Sequence, residues 1–144
     1  MQFWVTSGEE SFKNITESYK RGGNAVIIVY DITDRESFEN LNSWLIEIEN
    51  NLNQNVIKIL AGNNCDREDE RKVTYQEGKD FAGLNGMKFI EISPNNSQGI
   101  HEMFECLVRD MIIKKDSIPH QNNLHLNIDS PPQENKSNSY CLII

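Results

Sequence analysis

A three-layer α/β/α domain with a mostly parallel sheet is the fold this sequence predicts, on three observations. The apolar runs "NAVIIVYDIT", "NVIKILAG" and "MKFIEIS" have strand length and no polar alternation, the pattern of strands buried on both faces. Amphipathic stretches of helical period stand between and after them. Two of those helical stretches open on S/T-x-x-E signals, "TDRE" at Thr33–Glu36 and "TYQE" at Thr74–Glu77. Strands alternating with helices require right-handed crossovers, which give a parallel sheet covered on both faces.

The elements follow in order. "QFWVT" is expected to be a short first strand, and "GEESFKNITESYKRGG" a loop or irregular helix bounded by glycines. After the strand "NAVIIVYDIT", Phe38, Leu41, Leu45, Ile48 and Leu52 mark one helix face, which Trp44 widens. The second buried strand leads to a helix from "TYQE" through Phe81 and Ala82, ending near Gly83 to Gly86. Beyond the third strand, Ile100, Met103, Phe104, Leu107, Val108, Met111 and Ile112 predict a long amphipathic helix. It closes on Lys114 and Lys115, which suit the negative end of its dipole. There the periodicity stops. The chain divides into a domain, residues 1–115, and a tail, residues 116–144, whose Asn, Ser and Pro content predicts a disordered tether.

Composition excludes several classes of function. The net charge of −8 argues against nucleic acid as a partner, since phosphate backbones require clustered Lys and Arg. No apolar run approaches the ~18 residues of a membrane span, and "MQFWVTSGEE" lacks the charged and apolar regions of a secretory signal. Cys65, Cys106 and Cys141 are scattered and odd in number, so neither a disulfide framework nor a metal site is expected, and a reducing cytosol fits. Cys106 stands beside the apolar face of the last helix and is expected in the core. His101, His120 and His125 have no ligand spacing.

Parallel sheets bind ligands beyond the carboxyl ends of their strands. "YDIT", "GNNCDRE" and "EISPNN" all lie at such ends, so three loops should converge on one rim. The carboxamides and carboxylate of Asn63, Asn64 and Asp66 could read the edge of a flat polar ligand there.

Five stretches, in this order, resemble a Rab-type small GTPase of the Ras superfamily: "WVTSGEE", "VYDITDRESFENLNSWLIEI", "GNNCD", "EISPN" and the terminal "CLII". Their family counterparts are W-D-T-A-G-Q-E, the Rab strand-helix pattern, G-N-K-x-D, E-T-S-A-K and a prenylation box. The resemblance runs over Gln2–Lys115 and implies an incomplete P-loop-NTPase-like domain. Neither G-x-x-x-x-G-K-[ST] nor switch I occurs among the 144 residues. In a family sheet the P-loop strand would separate "QFWVT" from "NAVIIVY". Without it, the first strand slides across, another chain supplies an edge, or the sequence is part of a longer one.

The resemblance also assigns residues. Asn63 supports a guanine base site, Asp66 accepts from guanine N1–H and the exocyclic amine, and Ser93 is retained beside them. The alternative is that Asn63 and Asp66 only cap a loop. Gly8 is a phosphate-side remnant or a residue that permits a sharp turn. Against the family pattern, Val5 replaces the aspartate that helps hold Mg²⁺, so Mg²⁺ is not expected. Glu9 replaces the glutamine that orients water, and no catalytic residue is assigned. Asn64 and Asn95 replace lysines, and Pro94 replaces an alanine whose N–H contacts the guanine carbonyl; proline has none. GTP or GDP is therefore implied by family alone, with weak or absent binding here, as in a pseudo-GTPase.

Cys141 heads a C-a-a-X box whose bulky last residue leans towards geranylgeranyl. One lipid without a polybasic run (Lys136 stands nearly alone) anchors reversibly. The implied setting is the cytoplasmic face of endomembranes or the plasma membrane. Implied partners are the membrane, a prenyltransferase, a soluble carrier and Rab effectors. Three roles follow for the chain: a nucleotide switch in vesicle traffic, a non-catalytic prenylated interaction module, or a product without activity.

Overall fold

The computed structural model describes residues 24–52 and 55–116. The first strand expected at Gln2–Thr6, the stretch that follows it, Val5, Gly8, Glu9, the tail from residue 117 and Cys141 lie outside the described residues.

Strand β1 (Ala25–Asp31) is followed by helices α1 (Arg35–Glu39) and α2 (Leu41–Asn51), then β2 (Ile57–Asn63) and a 3₁₀ turn (Glu68–Glu70). Helix α3 (Tyr75–Leu84), β3 (Lys88–Ile92) and α4 (Ile100–Asp116) complete the order. The strands are parallel and lie side by side as β1-β2-β3, with Ala25 opposite Ile57 and Ile59 opposite Lys88. This is the α/β sheet that the apolar runs predict.

Alternation along the strands sorts two cores. Val26, Ile28, Tyr30 and Leu60 face one way, against Leu41, Leu45, Ile48 and Ala82 of the crossover helices. Ala25, Ile27, Ile59, Ala61 and Ile92 face the other way, against Met103 and Leu107 of α4. Phe38, Trp44 and Leu52 join the first core as the helical stripe predicts. A tight fit marks that layer: a Cβ on Gly78 would stand 2.4 Å from the Tyr30 hydroxyl.

Several local expectations are corrected. The helical stretch after β1 is interrupted at Asn40, whose N–H returns to the Glu36 and Phe38 carbonyls before α2 starts. Its cap is Asp34, accepting from Glu36 N at 3.1 Å, and not Thr33. Thr33 is already committed, since its N–H and hydroxyl both donate to Asp31 Oδ1, at 2.8 and 2.7 Å. Cys106 is half-buried and belongs to neither core, with Lys88 Nζ 3.3 Å from its sulfur. Cys65 is the cysteine packed against the first core. The last helix runs one residue past Lys115, to Asp116.

The second capping signal forms as expected. Thr74 Oγ1 accepts from Glu77 N at 3.2 Å, and Glu77 Oε2 accepts from Thr74 N at 2.9 Å. The Arg35 guanidinium, together with Thr74, holds the Glu77 carboxyl down to about 2. Thr74→Ala is expected to lower stability by about 1 kcal/mol in urea denaturation. An unchanged midpoint would show that the cap adds nothing there.

Candidate base-binding rim

The carboxyl ends of the three strands meet through their own side chains and backbone. Asp31 closes β1 and accepts from Asn64 Nδ2 at 2.7 Å across to the loop after β2. Ile32 N donates to Asn63 O at 3.0 Å, and Cys65 N donates to Ile92 O at 3.1 Å, so all three loops are joined. Partial burial raises the Asp31 carboxyl, but hydrogen bonds from Thr33 and Asn64 outweigh it and hold the group below the usual carboxylate range.

Asn64 adopts a left-handed backbone, φ 65°. Asparagine tolerates that region better than most side chains, and the turn lets the chain reverse directly after β2. Asp66 follows on the exposed side, where Asn95 Nδ2 donates to its Oδ2 at 2.8 Å. Asn95 holds the Asp66 carboxyl below its ordinary range; the nearby Ser93 hydroxyl acts in the same direction, although outside hydrogen-bonding geometry.

The loop after β3 is drawn tight. Ser93 N donates to Gln98 O at 3.0 Å, and Gln98 N donates to Asn96 Oδ1 at 2.9 Å. Ser97 (φ 60°) and Gly99 (φ 69°) are both left-handed. Ser93 is fully buried. Its hydroxyl and the buried Asn63 Oδ1 have no hydrogen-bond partner among the described residues.

Behind the rim, a partly buried clamp ties the loop after β2 to β3. Arg71 Nη1 and Nη2 donate to Glu91 Oε1 and Oε2 at 2.7 and 2.9 Å. Arg71 also donates to Val73 O at 3.0 Å and Glu68 Oε2 at 2.8 Å. The bidentate geometry fixes direction as well as distance.

The expected base-site residues Asn63, Asp66 and Ser93 are thus brought to one rim. The partners that Asn64, Asn95 and Arg71 find there were not foreseen. Asp31, the one acid in "YDIT", was the available signal for Asn64; nothing local marks Arg71 as the partner of Glu91.

A guanine-type edge needs paired acceptors and an opposing donor. Asp66 offers the acceptors, but Pro94 leaves its backbone position without an N–H. Asn64 commits its amide to Asp31. Asp66, Asn64 and Pro94 thus stand on neighbouring loops at the carboxyl ends of β2 and β3. No helix among them is long and apolar enough to cross a membrane.

A family model described as Ras family matches residues 1–113. GTP-binding protein YPT1 of Saccharomyces cerevisiae is 41% identical over 138 residues, covering 96% of this chain and 64% of that protein. GTP-binding protein ypt2 of Schizosaccharomyces pombe is 40% identical over 122 residues, covering 85% of this chain and 60% of its own length. Ras-related protein Rab-13 of Mesocricetus auratus is 37% identical over 142 residues, covering 98% of this chain and 70% of its own. The chain thus spans less than two thirds of the length of both yeast relatives.

Proposed function

We propose, from the premise that this chain belongs to the Ras family and within it to the Rab-type small GTPases, that it serves membrane trafficking as a lipid-anchored domain with a weakened guanine site. The observation that carries the weakened site is Pro94, which has no backbone N–H to offer the carbonyl of a base held by Asp66. A hydrogen bond lost opposite a desolvated partner costs about 1–3 kcal/mol. Asn64 supports the same reading, because its short amide is bound to Asp31 and offers no long stem against a base.

Val5 and Glu9, where the family has the Mg²⁺-side aspartate and the water-orienting glutamine, remove side chains that hydrolysis would use. In this reading Asn63, Asp66 and Ser93 hold what remains of the base site. Function then rests on contacts with effector proteins, while a prenyl group on Cys141 provides reversible attachment to the cytoplasmic face of a membrane. A prenyltransferase and a soluble lipid-binding carrier are the partners this chemistry needs. A second reading, nucleotide binding at full strength, is favoured by the words "GTP-binding protein" in the names of two relatives.

One pair of measurements tests the proposal. In side-by-side titration with fluorescent GDP and Mg²⁺, the 144-residue chain is expected to bind at least about tenfold more weakly than YPT1. Equal affinity would sustain the second reading instead. In cells, Cys141→Ser should move the protein from the membrane pellet to the supernatant. Unchanged partitioning would remove the lipid from the account.

A further inference from the structure

We propose that Asn95 is a built-in cap on Asp66: its amide occupies one of the two carboxylate oxygens, Oδ2, and must swing away before a ligand whose two adjacent N–H donors need both oxygens can bind there. This rests on the reading of Asp66 as the remaining acceptor of a base site.

The geometry of the two loops supports it. Asn95 Nδ2 lies 2.8 Å from Asp66 Oδ2, across loops that belong to different strands. The cap is presented by a backbone with little freedom. Pro94 fixes φ immediately before it, the Ser93-to-Gln98 hydrogen bond closes the loop around it, and two left-handed residues complete the turn. Asp66 is equally well placed. It follows the left-handed turn at Asn64, whose side chain is tied to Asp31, and the Cys65 N–H is tied to Ile92 O.

Both capping side chains are exposed, so water competes for the bond and the cap is displaceable. A carboxylate acceptor makes it stronger than a neutral pair, which favours the closed form at rest. Ser93, fully buried beside the pair, has a hydroxyl with no partner among the described residues. A ligand whose binding-competent form is only part of the population binds in proportion to that fraction. An exposed charge-assisted bond of this kind is expected to reduce affinity about two- to fivefold.

Guanosine is the probe that isolates the rim, since it carries the paired N–H edge and no phosphate. Titrated by nuclear magnetic resonance into the full chain, it should bind Asn95→Ala about two- to fivefold more tightly than the parent. It should not bind Asn95→Ala when Asp66→Asn is added. In the same samples without ligand, the Asp66 carboxyl carbon should titrate at higher pH in Asn95→Ala, because its donor has gone; Arg67 is present in both.

Equal or weaker guanosine binding by Asn95→Ala, or none at all, overturns the cap. So does tighter binding with an unmoved Asp66 titration, because the gain then arises elsewhere. GDP uptake by the parent as tight as that of YPT1 would refute the weakened site instead. The ratio between parent and Asn95→Ala would still judge the cap.

Discussion

Arg71→Ala is expected to destabilise the domain by about 2–3 kcal/mol, the cost of breaking charge-assisted hydrogen bonds to a partly buried carboxylate. Both side chains of the Arg71–Glu91 pair are only 13% exposed, so water replaces the lost guanidinium only in part. The truncation also frees Val73 O and Glu68, both of which Arg71 holds. Because small domains are stable by about 5–15 kcal/mol, the loss should be plain in the urea midpoint. Arg67→Ala gives the contrast: both it and its partner Glu70 are exposed, and a much smaller shift of the midpoint is expected. Removing both charges of this partly buried pair, as Arg71→Met with Glu91→Leu, should restore much of the stability. If Arg71→Ala behaved like Arg67→Ala, the clamp would not be what joins β3 to the loop after β2.

Gly99→Ala is expected to cost about 3 kcal/mol, from a left-handed backbone and a steric conflict acting together. The residue has φ +69°, and a Cβ there would lie 2.1 Å from the carbonyl oxygen of Glu91. A backbone atom on that side cannot rotate away as a side chain can. Relief requires the loop to lift from β3, which also disturbs the start of α4, where Met103 N donates to Gly99 O at 2.9 Å. A fall in melting temperature of roughly 10–20 °C is the expected reading for a domain of this size. A fall of a degree or two would mean that the loop yields without strain.

The strands and core helices were legible because the signals came from burial. "AVIIVY" is apolar at successive positions, and both faces of β1 are indeed covered. Thr74 and Glu77 form their cap because Arg35 takes the other carboxylate oxygen, Oε1, and leaves Oε2 to Thr74. Thr33 shows how the same signal fails. The S/T-x-x-E pattern records which residues could cap, whereas Asp31, two positions earlier, takes the threonine first and leaves Asp34 to cap the helix.

The rim was legible in part for a related reason. Chain order and the carboxyl-end rule place Asn63, Asp66 and Ser93 together, since both depend only on which segments are strands. The bonds of Asn64 to Asp31 and Asn95 to Asp66 depend on left-handed turns and side-chain reach across 33 and 29 residues of chain. Local pattern carries no such information. Asn64 and Asn95 read as lost lysines in sequence; in the structure each has found a carboxylate.

The side-by-side order β1-β2-β3 also bears on how the molecule assembles. Each strand pairs with its predecessor, roughly thirty residues back, so closing each βαβ unit carries a modest loop entropy. No strand among the described ones must wait for a distant partner to be inserted between two that are already made. Such a sheet can grow by accretion as the polypeptide leaves the ribosome, with β1 as template for β2 and β2 for β3.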